Sequence, residues 1–453
     1  MEKRRGKDME KKKLLERTKV LLAVILALVV VFCYFLMGRT SAVKGLNTGT
    51  DELKKSTLKN MYRQETIEGA IWDSSKTILS QGTEPGKSGT LFYPESYSWL
   101  LGYNDPVYGK YGLRGRYESY LYMQGENKKG ADITLTLNHQ IQEKAYSLIE
   151  GMEGSMIVLD IRTGRILALA SSKTVEFNAN QIADHMEEWN QTEGFFLPNG
   201  FKDAAEPGST FKMVTAAALL EQGLEKDIIE DKGNTVLGGH VVKNSGNAAF
   251  GTIALQEALG NSSNVYFGTM ALRIGGSTLE RKASQYLIGQ DIELDFTTLE
   301  SHLDMGDYSE ALIADTGYGQ GKTLVTPLHL AMIAQSIGNG GVMLRPYLVD
   351  EITLDGKTLY KGKEEELAIP LRKENAETLK NLMQVTAGQY YGMTEYGICA
   401  KSGTAEVAGD KNKCYLVTFN EDYVVAACKL EESGYGIQLK GAVMNMYDKL
   451  YSR

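Results

Sequence analysis

Three short stretches carry residue types that can do covalent chemistry: Ser209-Thr210-Phe211-Lys212, Ser262-Ser263-Asn264 and Lys401-Ser402-Gly403-Thr404. In the first, a serine and a lysine three residues apart are neighbours on a helix. A hydroxyl is a weak nucleophile near neutral pH, and an amine whose pKa is depressed by burial or a nearby positive charge can take its proton. Ser209 opens an apolar helical pattern behind Pro207 and Gly208, where free N–H groups favour developing negative charge. In the second stretch, Ser262 can relay a proton to a leaving group, while the Asn264 amide can bind a carbonyl and hold the lysine. In the third, Gly403 on a strand edge lets a substrate backbone approach closely. Lys401 and the hydroxyls of Ser402 and Thr404 can bind a carboxylate, and the backbone N–H groups of Ser209 and Thr404 can form an oxyanion hole.

Each stretch alone is weak, because the chain contains copies of all three. Ser41…Lys44 and Ser56…Lys59 repeat the serine–lysine spacing and read as solvated surface. Ser245-Gly246-Asn247 reads as a turn, and Lys87-Ser88-Gly89-Thr90 as a loop. What singles out one set is order and setting. Ser209 opens an apolar helix, Ser262 follows the helical IALQEALGN, and only Lys401 leads into a strand hairpin.

The elements that must position these residues are legible. Asn138 to Glu150 has helical apolar spacing, and 156–160 with 166–170 read as a hairpin across Thr163-Gly164. Thr210 to Glu221 is a helix, several more fill 252–338, and 414–419 with 423–430 form a second hairpin around Asn420-Glu421-Asp422. A last helix spans about 441–450. Strands at both ends with helices between predict an α/β domain whose antiparallel sheet is assembled from both ends. Residues 60–130 lack long helical periodicity and read as a small β-rich module.

The chain is 453 residues long and carries 49 Lys+Arg against 57 Asp+Glu, a net charge of −8. That acidic balance argues against a nucleic-acid binder. Five scattered His and the lack of a CxxC argue against a zinc site. Residues 1–19 hold nine Lys/Arg and four Asp/Glu, and an 18-residue uncharged run from Val20 to Met37 follows. About 20 apolar residues span a bilayer, and the basic flank stays cytoplasmic. The expected organisation is therefore a cytoplasmic tail at 1–19, a single transmembrane anchor at 20–38, a linker and pedestal at 39–131, and an extracytoplasmic catalytic domain at 132–453. A cleaved signal peptide is disfavoured by the long apolar run and by a poor cleavage site at Thr40-Ser41-Ala42.

Taken together, the motifs resemble those of the penicillin-interacting serine transferases, and more closely the class B penicillin-binding proteins. Gaps of 53 residues from Ser209 to Ser262 and 139 from Ser262 to Lys401 fit that family. Further likenesses are Gly69-Ala70-Ile71-Trp72-Asp73, Thr163-Gly164-Arg165-Ile166-Leu167-Ala168, Leu324-Val325-Thr326-Pro327-Leu328 and Asn339-Gly340-Gly341. Glu68 stands where the family usually has Arg. The resemblance implies an α/β (α+β) transpeptidase domain with an antiparallel five-stranded sheet covered by helices, beside a small pedestal. It implies a D,D-transpeptidase in which Ser209 attacks the D-Ala-D-Ala amide of a peptidoglycan stem peptide and Lys212 takes its proton. Ser262, with Lys212 or Lys401, protonates the departing D-Ala. Asn264 binds the peptide amide, and Lys401, Ser402 and Thr404 the terminal carboxylate. β-Lactams acylate Ser209, no metal or organic cofactor is needed, and a polytopic glycosyltransferase of the shape, elongation, division and sporulation type is the implied partner.

Rival readings are a serine β-lactamase, a D,D-carboxypeptidase and a catalytically idle scaffold. Glu300-Ser301-His302-Leu303-Asp304 approaches a β-lactamase base motif but has Asp for Asn, and reads as helix-surface coincidence. If Asn420-Glu421-Asp422 is the turn, Phe419 faces Tyr423 and Cys414 faces Cys428, so a disulfide competes with the favoured reading of two buried thiols. Cys399 shares a strand face with Lys401 and is expected to border the site.

Overall fold

A computed structural model describes residues 63–173, 175–407 and 411–452. The expected tail, anchor and most of the linker lie outside the described residues, as do Cys33, Ser41…Lys44 and Ser56…Lys59. Among the described residues no helix is long and apolar enough to cross a membrane. The chain divides into two compact units, Met1–Glu65 and Thr66–Arg453, and the second holds both large sheets and all three motifs.

The centre of this second unit is a five-stranded sheet in the order Cys399–Val407, Lys411–Phe419, Tyr423–Glu432, Glu153–Asp160, Ile166–Ser171. Every neighbouring pair is antiparallel. The runs that read as uniformly apolar are covered on both faces, and the two-residue strand period sorts them. Met156, Val158, Val425 and Ala427 pack with Ala145 and Ile149 of helix His139–Ile149 and with Val443 and Met446 of helix Lys440–Tyr451. Ile157, Leu159, Val424 and Ala426 face the other way, in one core with Leu330, Ile333 and Ile337 of helix Pro327–Gly338. Each buried Val, Leu, Ile or Met side chain among these contributes roughly 1.5–3 kcal/mol. Side-chain caps fix where helices begin: Asn138 Oδ1 accepts from Ile141 N, Ser263 Oγ from Tyr266 N, and Thr326 Oγ1 from His329 N.

A second, six-stranded sheet runs Lys357–Lys361, Val349–Leu354, Asp132–Leu135, Ile71–Trp72, Ile78–Gln81, Thr90–Leu91. It draws strands from both sides of residue 131, so packing is continuous across the expected pedestal boundary. The module before that point is less purely β than expected, because helices Pro94–Leu101, Gly112–Arg116 and Glu118–Leu121 share it. These helices are too short to show periodicity in sequence.

Glu68 is fully buried and paired with Arg114, whose Nε and Nη2 each donate at 2.9 Å. Gly89 N–H (2.6 Å) and the Tyr122 hydroxyl (3.0 Å) also donate to its Oε2. In the duplicated stretch, Lys87-Ser88-Gly89 is thus a structural loop tied to this ion pair, and Thr90 begins a strand. His302 pairs with Leu324 in a loop bridge, and Ser301 Oγ lies 2.8 Å from the buried ring of His329. The Glu300–Asp304 stretch is therefore a loop, not the helix surface expected.

The cysteine register also differs from expectation. Phe419 pairs with Val424, Cys414 with Lys429, and Cys428 with Tyr415. Asn420 causes the shift: its Oδ1 accepts from Asp422 N and Tyr423 N, and its N–H donates to Tyr423 O, which puts Tyr423 inside the turn. A one-residue slip sends the two cysteines to opposite faces. Cys399, Cys414 and Cys428 are all free and buried. Cys399 does not border the cleft that Ser209 and Ser402 line, since its Sγ turns to Lys380 O of helix Lys373–Val385 at 3.4 Å.

Candidate active site

Ser209 lies in the 3-10 turn Gly208–Phe211, which feeds directly into helix Lys212–Glu221. A 3-10 turn eclipses residues three apart, which points Lys212 at Ser209. Gly208 has φ +52, and a Cβ there would lie 2.5 Å from Thr404 O. Only glycine lets the turn that carries Ser209 sit this close to the edge strand.

Lys212 is fully buried, and its Nζ donates to Ser209 Oγ (2.8 Å), Ser262 O (2.7 Å), Ser262 Oγ (3.2 Å) and Asn264 Oδ1 (2.8 Å). None of these partners is anionic. Burial first, and then the charge of Lys401, hold its pKa well below the usual lysine value. Lys401, also fully buried, donates to Ser262 Oγ (3.0 Å), Ser402 O (2.8 Å) and the Tyr391 hydroxyl (3.3 Å). Ser262 is thus bracketed by two amines. It occupies the loop between helices Leu255–Gly260 and Asn264–Ile274 at φ +56, a left-handed conformation that costs a non-glycine residue roughly 1–3 kcal/mol.

A buried network beneath the loop holds that conformation. Asn244 Nδ2 donates to both carboxylate oxygens of Asp231 at 2.9 Å, and its Oδ1 accepts from Asn264 N at 2.8 Å. Ser263 Oγ donates to Asp231 Oδ2 at 2.5 Å. Asn264 Nδ2 is tied to Lys243 O at 2.8 Å. Sequence reasoning missed Asp231 and Asn244. Ser245-Gly246-Asn247 is the expected turn, and it also forms part of the cleft rim.

Ser209, Ser262, Asn264, Ser402, Gly403 and Thr404 open into one cleft of about 900 Å³. The edge strand presents amides to it. Ser402 N–H donates sideways to the Tyr391 hydroxyl at 3.3 Å, so Thr404 N–H, two residues on, points the same way. The opposite wall includes His240, Asp315 and Tyr318, also missed from sequence. Asp315 Oδ1 lies 2.8 Å from His240 Nε2 and accepts the Tyr318 hydroxyl.

A buried amine on a serine, a second hydroxyl between two lysines, and the Thr404 amide of the edge strand make an acyl-transfer centre. The penicillin-binding protein transpeptidase domain family matches residues 154–436, more than half the chain. The chain belongs to that family. It is 25% identical over 390 residues to the peptidoglycan D,D-transpeptidase PbpA of Mycolicibacterium smegmatis, covering 75% of this chain and 78% of the relative. It is 27% identical over 301 residues to penicillin-binding protein 3 of Bacillus subtilis, spanning 63% of this chain and 44% of that protein. Its fold is similar to that of penicillin-binding protein A from M. tuberculosis in an imipenem acyl-enzyme complex, with TM-score 0.76, 23% identity, and coverage of 85% and 99%. The resemblance to class B penicillin-binding proteins is thus a family membership.

Proposed function

We propose that this class B penicillin-binding protein is a serine-type peptidoglycan D,D-transpeptidase that works through an acyl-enzyme on Ser209. The observation that carries this reading is the convergence of Lys212 and Lys401 on Ser262 with Lys212 on Ser209. Neutral Lys212 takes the Ser209 proton as Oγ attacks the penultimate D-Ala carbonyl, and the Ser209 and Thr404 amides hold the oxyanion. Ser262 gives a proton to the leaving D-Ala and regains one from Lys401 or Lys212. Lys401, Ser402 and Thr404 bind the terminal carboxylate, and Asn264 binds the peptide amide. An acceptor amine then attacks the ester: the new C–N bond forms, the Ser209 ester bond breaks, and Oγ regains its proton through Lys212. β-Lactams enter the first half of this cycle and acylate Ser209.

Residues 20–38 anchor the enzyme, 1–19 stay cytoplasmic, and 132–453 work outside the membrane. The uncharged run behind a basic flank supports this. A polytopic glycosyltransferase of the shape, elongation, division or sporulation type supplies the glycan strands, since no segment of this sequence resembles one. The test is labelling with a fluorescent penicillin, read by intact mass, with Ser209→Ala alongside. A long-lived adduct present only in wild type supports the reading. Rapid loss as hydrolysed drug points to a β-lactamase, and no adduct in folded wild type to a scaffold.

A further inference from the structure

Apart from tyrosines, the titratable side chains that line the cleft are His240, Lys243, Asp315 and Glu406. His240 and Asp315 satisfy each other, with Nε2 of one 2.8 Å from Oδ1 of the other. Lys243 and Glu406 are left. Both are exposed, and among the described residues neither side chain has a hydrogen bond or an ion pair. Local structure holds each of them out. Lys243 ends strand His240–Lys243, and Val242 before it is buried with Leu237 and Ala314, so the two-residue period turns Lys243 outward. The Lys243 carbonyl accepts from Asn264 Nδ2 at 2.8 Å, which fixes this strand end beside the asparagine. Glu406 lies on Cys399–Val407, the edge strand of the five-stranded sheet, where Gly403 and Ala405 are buried and Ser402, Thr404 and Glu406 alternate with them. Glu406 therefore shares a face with Thr404 and stands roughly 7 Å further along the strand.

With the terminal carboxylate on Lys401, Ser402 and Thr404 and the scissile carbonyl at the Thr404 amide, a donor peptide lies along the edge strand as an added strand. Followed back from its C-terminus, it runs from Lys401 toward Glu406. The residue before D-Ala-D-Ala then sits between Asn264 and Glu406, with Lys243 beside Asn264. We propose that Lys243 and Glu406 read the side chain of that donor residue, and that this side chain ends in a zwitterion, an ammonium and a carboxylate on one carbon. Glu406 takes the ammonium and Lys243 the carboxylate. This rests on the acyl-enzyme reading of Ser209 and names the substrate class of the same cleft. A side chain that ends in an ammonium alone satisfies Glu406 and leaves Lys243 unmatched. Opposite charges at two fixed points select a partner and its register more than they add raw affinity.

The test uses penicillins whose acyl side chain takes the place of that donor residue. One carries an aminoadipoyl group, which ends in the zwitterion, one a 6-aminohexanoyl group with the ammonium alone, and one an uncharged hexanoyl group. Second-order acylation rates of the full chain in detergent are measured for wild type, Lys243→Met and Glu406→Gln. The readout is each probe's rate relative to hexanoyl in the same protein, a ratio that a general loss of activity does not move. Wild type should favour aminoadipoyl roughly tenfold, about threefold for each exposed charge pair. Each substitution should lower that ratio about threefold, and added salt should shrink it, since both charges are exposed. Glu406→Gln should also erase the advantage of 6-aminohexanoyl. A ratio near one in wild type, or a ratio that either substitution leaves unmoved, would overturn the proposal while the Ser209 adduct stands. An equal preference for 6-aminohexanoyl would restrict recognition to an ammonium and overturn the zwitterion. Wild type that no penicillin acylates on Ser209 would instead remove the acyl-enzyme reading, and this proposal with it.

Discussion

Lys212 Nζ stands 2.8 Å from Ser209 Oγ, and all its hydrogen-bond partners are neutral oxygens. An amine buried this way loses its proton well below the usual lysine value, through burial and then through Lys401. Because the base form is the deprotonated one, acylation should rise with pH through that depressed pKa. Stopped-flow acylation by a chromogenic cephalosporin checks this. A rate still rising tenfold per pH unit up to about 10, the range of an ordinary lysine, would remove Lys212 as the base. Lys212→Ala should slow acylation by roughly 10²–10⁴-fold, the usual worth of a positioned base.

The loop that carries Ser262 depends on the Asn244 side chain, whose polar atoms are bound to Asp231 and to the Asn264 amide. Asn244→Ala empties the hub that joins Asp231, Ser263 and the Asn264 amide. Each buried partner left unsatisfied costs about 1–3 kcal/mol. Thermal melting should show the lost stability, and acylation should fall at least tenfold in protein that remains folded. Folded Asn244→Ala with wild-type acylation would show that Ser262 keeps its left-handed conformation unaided.

The pedestal contains a buried ion pair, and breaking one side of such a pair costs about 3–5 kcal/mol. Glu68→Gln should lower the unfolding free energy from urea titration by that order, and Glu68→Arg with Arg114→Glu should recover part of it. Burial raises the Glu68 carboxyl, but the charge and hydrogen bonds of Arg114 outweigh it, so its folded pKa lies below the usual glutamate value. A carboxylate of depressed folded pKa stabilises the protein above its unfolded pKa and loses that contribution as pH falls through the folded one. Glu68→Gln should therefore flatten the loss of stability below about pH 4, as denaturant titrations at several pH values would reveal.

The three described cysteines are reduced and buried, with burial pushing Cys399 up to about 12 and Cys414 up to about 11. Native protein should react slowly with a thiol reagent. Denatured, unreduced protein should expose thiols at 399, 414 and 428 together. Any pair missing from that count would contradict the hairpin register.

By itself the sequence determined several of the helices, the two hairpins, the antiparallel sheet and the eight residues now gathered around one cleft. These were legible because their signals are local: apolar periodicity, a Pro-Gly start before Ser209, and short motifs of fixed spacing. Only the tertiary structure decided what each copy of the repeated motif packs against. It put Lys87-Ser88-Gly89 against Glu68 and Lys401-Ser402-Gly403 against the turn that carries Ser209. It also decided the Cys414 register, where the Asn420 side chain outweighed the symmetry expected of the turn. Asn244 and Asp231 were illegible because each acts through hydrogen bonds to residues 13 to 32 positions away. Such contacts follow from how helices and strands pack, and no local pattern encodes them.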